Sequence, residues 1–95
     1  MIPKVSIIIP VYNHEMYIEQ TLNSILCDTY PAKEIVLIND GSKDNSDKVI
    51  QAWIQTHKDA IEINYLNREN RGLTKTLNEL ITKSSGQYIV IIGSD

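Results

Sequence analysis

The residues able to do chemistry stand immediately after apolar runs. Tyr12 and the adjoining Pro10 and Val11 follow the run in "IIIPVYNHE", and Asp40 closes "EIVLIND". Arg68 and Arg71 lie in "NRENRG", and Ser94 and Asp95 stand at the end of "QYIVIIGSD". A tyrosine ring can stack on a planar base, a contact worth about 1–3 kcal/mol. A carboxylate such as that of Asp40 can accept from a base or a ribose, at roughly 1.5–3 kcal/mol per charge-assisted bond. An arginine can reach a phosphate or a base carbonyl. Each residue also has a plain structural reading: a tyrosine packed on a sheet end, an acid in a turn, arginines facing solvent.

Four apolar runs and three helical patterns must position these groups. "KVSIIIPV" (Lys4–Val11) and "EIVLIND" (Glu34–Asp40) are continuous and β-branched, as in strands covered on both faces. "IEINYLN" (Ile61–Asn67) alternates, which predicts a strand at a sheet edge, and Tyr88–Ile92 reads as a buried fourth strand. Between them, Tyr17 to Leu26, Val49 to Ile54 and Leu73 to Ile81 carry apolar residues at helical spacing. The order βαβαβαβ implies a Rossmann-like parallel sheet with helices on both faces, an α/β fold. Ligands of such sheets lie at the carboxyl ends of the strands, where these residues stand.

The turns narrow the chemistry. No glycine follows the first strand, so neither a dinucleotide fingerprint nor a Walker loop is present. Glu15 alone does not make the acidic cluster of a phospho-receiver. Gly41 permits a turn with positive φ. Ser42, Asp44 and Ser46 compete as caps of the second helix, with Asp44 and Ser46 the favoured pair. The helix after Gly72 aims its free amides toward the ligand side, which suits an anion. Glu15, Glu19 and Glu34 read as surface charges.

Composition bounds the rest. A chain of 95 residues makes one small domain, and its 42% hydrophobic and 22% charged residues are ordinary for a globular protein. The net charge of −3 and scattered basic residues give no footprint for nucleic acid or for an anionic membrane surface. The single Cys27 excludes an internal disulfide and reads as a small core residue on a helix. No signal-peptide pattern opens the chain, so a cytosolic location is expected, with membrane association open to a larger protein.

Taken together, "VSIIIPVYNHEMYIEQTLNSIL", "EIVLINDGSKDNS", "NRGLTKTLN" and "SSGQYIVIIGSD" resemble the family 2 glycosyltransferases of the GT-A fold over essentially the whole chain. The resemblance implies a strand order 3-2-1-4 and the nucleotide-sugar-binding part (residues 1–95) of a truncated GT-A domain. It implies that Tyr12 stacks on the base, with Pro10 and Val11 as adjoining wall. Asp40 would hydrogen-bond the base, and Arg71 would contact base or phosphate. Ser94 and Asp95 would approach the diphosphate, with Asp95 in a DxD-type motif that binds a divalent cation, Mg²⁺ or Mn²⁺. Gly93 stands where that motif has its first acid.

The implied reaction is transfer of a sugar from a nucleotide diphosphate, commonly a UDP-sugar, to a hydroxyl of a carbohydrate or other acceptor, in glycan or polysaccharide synthesis. The chain then reads as the first part of a longer enzyme, catalytically silent alone and self-associating through its exposed fourth strand. The alternative from another class is a nucleotide-binding or interaction module without catalysis. A nucleotidyltransferase is a further alternative, disfavoured because "PVYNHE" lacks the glycine-rich loop expected after its first strand.

Overall fold

The computed structural model describes residues 2–93. Four strands, β1 (Val5–Val11), β2 (Lys33–Asp40), β3 (Glu62–Arg68) and β4 (Tyr88–Ile91), alternate with three helices, α1 (Ile18–Cys27), α2 (Ser46–His57) and α3 (Leu73–Lys83). The strands form one parallel sheet in the order β3-β2-β1-β4, as expected.

Side chains alternate across a strand, so each central strand supplies two cores. Ile7, Ile9 and Val11 of β1 and Ile35 and Leu37 of β2 pack against Ile18, Leu22 and Ile25 of α1 and Ile50 and Trp53 of α2. On the opposite face Ile8, Val36 and Ile38 meet Leu80 of α3, with Leu77 and Leu66 beside them. Both helical stripes follow i, i+4, i+7 spacing, the period that keeps one face inward. Burying each such isoleucine is worth about 1.5–3 kcal/mol, which is why two polar-flanked runs suffice to hold the centre of the sheet. Trp53 adds a bond from its indole N–H to Asn23 Oδ1 at 2.7 Å, tying α2 to α1.

Three expectations are corrected. Cys27 is exposed at the last position of α1, off the 18-22-25 stripe that faces the sheet. Glu34 is buried: its Oε2 accepts from Ser6 Oγ at 2.5 Å, from the Ser85 amide at 2.7 Å and from Ser85 Oγ at 3.0 Å. Lys4 Nζ lies 3.7 Å from its Oε1, so Glu34 ties the amino end of β2 to β1 and to the turn before β4. Finally, β4 is not a buried strand. Tyr88 to Ile91 are 41–62% exposed, because β4 is a sheet edge paired on one side only. The alternating β3 takes the other edge, as its pattern predicted.

Candidate functional site

The carboxyl ends of β1 and β2 continue into two loops that are stitched to each other. Asn13 adopts φ 54°, a left-handed conformation that asparagine tolerates better than most residues. Its amide donates to Ser42 Oγ at 2.9 Å, and its Oδ1 accepts from the Lys43 amide at 2.7 Å. The His14 amide donates to Ser46 Oγ at 3.0 Å and the Glu15 amide to Asp44 Oδ2 at 3.1 Å. Asp44 Oδ1 accepts from the Ser46 amide at 2.9 Å. Ser42, Asp44 and Ser46 therefore do more than begin α2. The residue at the N-cap position, Asn45, makes no side-chain cap bond, and the three flanking side chains hold the loop that presents Tyr12. Tyr12 itself stays 43% exposed, with its ring available to a ligand.

Asp40 organises the other side. It is only 5% exposed, and three protein donors converge on its carboxylate. Arg68 Nη1 donates to Oδ1 at 2.6 Å, the Arg71 amide to Oδ1 at 2.8 Å and the Gly72 amide to Oδ2 at 3.2 Å. Burial by itself pushes this carboxyl up. The bonds from the Arg71 amide and the Arg68 guanidinium outweigh it and hold the group below the usual carboxylate range. The backbone around it needs glycine twice. Gly41 has φ 70°, and a Cβ there would lie 2.5 Å from the Asn70 amide nitrogen. Gly72, at φ 92°, turns the chain into α3.

These elements enclose a cavity of about 480 Å³ beyond the strand ends. Pro10, Val11 and Tyr12 form one wall, Asp40 lies at its base, and Gly72, Leu73, Thr76 and Leu77 of α3 form the opposite wall, with Ile91 and Gly93 closing a third side. Its size and mixed lining suit a small planar ligand with a polar edge.

Of the residues the sequence singled out, Pro10, Val11, Tyr12 and Asp40 come together on this cavity. Arg71 contributes its amide to Asp40, but its guanidinium points outward and pairs with Glu69 Oε1 at 2.8 Å. Ser94 and Asp95 lie outside the described residues. Asp40 differs from the expected free acceptor in being a buried, already hydrogen-bonded group. Arg68 was named beside Arg71 but given no role of its own, and His14, Thr76 and Leu77 were not named as site residues. No local pattern separates Arg68 from Arg71; the register of β3 on β2, which pairs Arg68 with Asp40, does.

The family model for glycosyl transferase family 2 matches residues 6–95. This chain belongs to glycosyltransferase family 2. Among curated relatives, it is 37% identical over 92 residues to glycosyltransferase GlyA of Streptococcus pneumoniae, covering 97% of this chain and 13% of that protein. It is 35% identical over 92 residues to the poly-beta-1,6-N-acetyl-D-glucosamine synthase of Staphylococcus epidermidis, covering 96% of this chain and 21% of that protein. Among solved structures, the mannosyltransferase PcManGT from Pyrobaculum calidifontis, in complex with GDP-Man and Mn²⁺, matches with a TM-score of 0.92 at 28% identity. That match covers 100% of this chain and 28% of the mannosyltransferase. TarS of S. aureus (1-349), in complex with UDP-GlcNAc, matches with a TM-score of 0.84 at 26% identity, covering 97% of this chain and 26% of TarS. The parallel 3-2-1-4 sheet is thus the GT-A arrangement, and this family 2 chain spans about a quarter or less of these relatives.

The described residues of this family 2 chain end before Asp95, the expected metal ligand. Among them, no three His, Cys, Asp or Glu side chains gather where they could hold an ion. The carboxylate on the cavity, Asp40, is committed to Arg68 and two backbone amides.

Proposed function

We propose that this chain binds the donor of a sugar transfer, a nucleotide-diphosphate sugar with UDP as its nucleotide, in an enzyme that passes the sugar to an acceptor hydroxyl. The observation that carries this reading is the cavity between Tyr12 and Asp40 at the strand ends of a family 2 glycosyltransferase chain. Tyr12 offers its ring to the base while Pro10 and Val11 bound the slot. Asp40, kept ionised by its neighbours, presents Oδ2 to the base edge. Its Oδ1 already accepts from Arg68 and the Arg71 amide, while Oδ2 accepts from the Gly72 amide and keeps a lone pair. The complexes of TarS with UDP-GlcNAc and of PcManGT with GDP-Man support a nucleotide-sugar donor in this fold. The synthase of S. epidermidis supports a glycan product.

Arg71 enters this reading only by leaving Glu69, a solvent-screened pair that offers little resistance. A divalent cation, Mg²⁺ or Mn²⁺, belongs to the same reading with Asp95 as a ligand, supported by the Mn²⁺ in the PcManGT complex. When bound, such an ion neutralises negative charge on a leaving diphosphate. Residues 1–95 by themselves are proposed to bind without turnover, since they span so small a share of their relatives. The apolar edge of β4 is proposed to make this stretch of chain self-associate.

Calorimetric titration of the full-length protein with UDP, GDP, ADP and CMP tests the donor assignment. UDP is expected to bind most tightly. Equal affinity for all four removes base recognition, and no binding of any of them removes the proposed function. Release of UDP from a UDP-sugar by residues 1–95 alone would overturn their silence.

A further inference from the structure

Arg68 stands behind Asp40 as viewed from the cavity. It lies outside the cavity lining, its side chain is only 6% exposed, and all three guanidinium nitrogens are committed to protein acceptors. Nη1 donates to Asp40 Oδ1 at 2.6 Å and to the Glu69 carbonyl at 2.9 Å. Nη2 donates to Thr76 Oγ1 at 3.0 Å, and Nε to Glu79 Oε1 at 2.9 Å. One side chain therefore joins the end of β2, the turn at 69–72 and two successive turns of α3. The planar fork of arginine can satisfy several acceptors in fixed directions, which an ammonium cannot.

Everything else that touches Asp40 depends on the same turn. The Arg71 and Gly72 amides reach the carboxylate only while residues 69–72 keep their path, and Arg68 holds that path at the Glu69 carbonyl. Thr76, whose Oγ1 accepts from Arg68, donates to the Gly72 carbonyl at 2.8 Å and lines the cavity. Wall and base of the cavity share one anchor. We propose that Arg68 is a positioning residue of the donor site, holding Asp40 toward the cavity and fixing the turn and first helical turn that wall it. The inference rests on the donor reading above and adds to it a residue that never touches the donor.

The charge around Asp40 makes this testable. Arg68 faces it from β3, the Arg71 and Gly72 amides from the turn, and Glu79 from α3 through Arg68. Arg71 and Glu69 pair with each other outside, and Tyr12 and His14 line the same cavity from the β1–α1 loop. The adjoining residues of β1, Pro10 and Val11, carry no charge. Without Arg68, a carboxyl this buried shifts toward its neutral form, and a protonated Asp40 no longer accepts from the base.

The test uses the full-length protein and UDP, with Arg68→Met, Arg68→Lys, Asp40→Asn and the double variant Arg68→Met/Asp40→Asn, titrated from pH 5 to pH 9. Arg68→Met is expected to weaken UDP binding about 10- to 150-fold at the acid end, the range for one charge-assisted bond, and to recover as pH rises. Arg68→Lys is expected to keep a flat pH profile with a smaller loss. The double variant is expected to bind no worse than Asp40→Asn. In parallel, the ¹³C titration of the Asp40 carboxyl, without nucleotide, is expected to move upward in Arg68→Met, and Arg68→Lys supplies both readouts if the methionine variant does not fold. Unchanged UDP affinity in Arg68→Met, fully additive losses in the double variant, or an unmoved Asp40 titration in the arginine variants would each overturn the proposal. A wild type that binds no nucleotide overturns the donor reading and the positioning role with it, while the carboxyl titration still decides whether Arg68 keeps Asp40 ionised.

Discussion

Asp40 and Arg68 are register partners at the ends of β2 and β3, and Oδ1 of one lies 2.6 Å from Nη1 of the other. Register partners in a parallel sheet project to the same face, so the pair needs no loop to bring it together. Both side chains are under 10% exposed. Without the Asp40 charge, Arg68 keeps Glu79 as its ionic partner at 2.9 Å but loses its most buried one. Asp40→Asn is therefore expected to lose roughly 1.5–3 kcal/mol of stability, the worth of a charge-assisted bond, as well as nucleotide affinity. Urea unfolding measures the first and UDP titration the second. Lost affinity at unchanged stability would show that Asp40 serves the ligand alone.

Acid should destabilise this protein in part through two buried carboxylates, Asp40 and Glu34. Burial pushes Asp40 and Glu34 up, but hydrogen bonds outweigh it in both: from the Arg71 amide and Arg68 to Asp40, and from Ser6 and Ser85 to Glu34, with the Lys4 charge adding to the second. Both folded values lie below the ordinary ones. Their contribution is complete above the unfolded carboxylate value of about 4 and is lost as pH falls through the lowered folded values. The urea midpoint is expected to be level near neutrality and to drop on the acid side, and Glu34→Gln is expected to flatten part of that drop. A midpoint insensitive to acid would contradict the assignment.

Gly41→Ala combines a left-handed backbone with a Cβ placed 2.5 Å from the Asn70 amide nitrogen. The conformation alone costs about 1–2 kcal/mol, and the backbone contact adds to it. A thermal melt should show clear destabilisation, and UDP affinity should fall because the 69–72 turn is displaced. An alanine variant as stable as wild type would mean that the turn moves freely.

Tyr12→Ala is expected to separate binding from folding. Tyr12 is 43% exposed, so stability should change little. Nucleotide affinity should fall by about 1–3 kcal/mol, the worth of one stacked base, with Tyr12→Phe close to wild type. Equal binding by wild type and the alanine variant would remove the stacking role.

Residues 1–95 are expected to sediment as dimers or larger species, since Tyr88, Ile89, Val90 and Ile91 expose an apolar strand with an unpaired edge. Val90→Lys should shift the distribution toward monomer. A clean monomer at high concentration would refute the edge argument.

The sequence alone determined the element order, the sheet order through its family resemblance, and the placement of Tyr12 and Asp40 at the carboxyl ends of their strands. Those features rest on local periods and on connection rules, which act within each βα unit. Cys27 was misread as a core residue, although the Ile18, Leu22 and Ile25 stripe leaves it on another face of α1. The tertiary structure alone decided which arginine turns inward. Arg68 and Arg71 share one polar stretch, and only the pairing of β3 with β2 brings Arg68 against Asp40, 28 residues away in the chain. It likewise decided that Glu34 is buried, since its partners Ser6 and Ser85 lie 28 and 51 residues distant. A buried charge is tolerated only where distant donors converge on it, and that convergence follows from how the strands pair rather than from any local pattern.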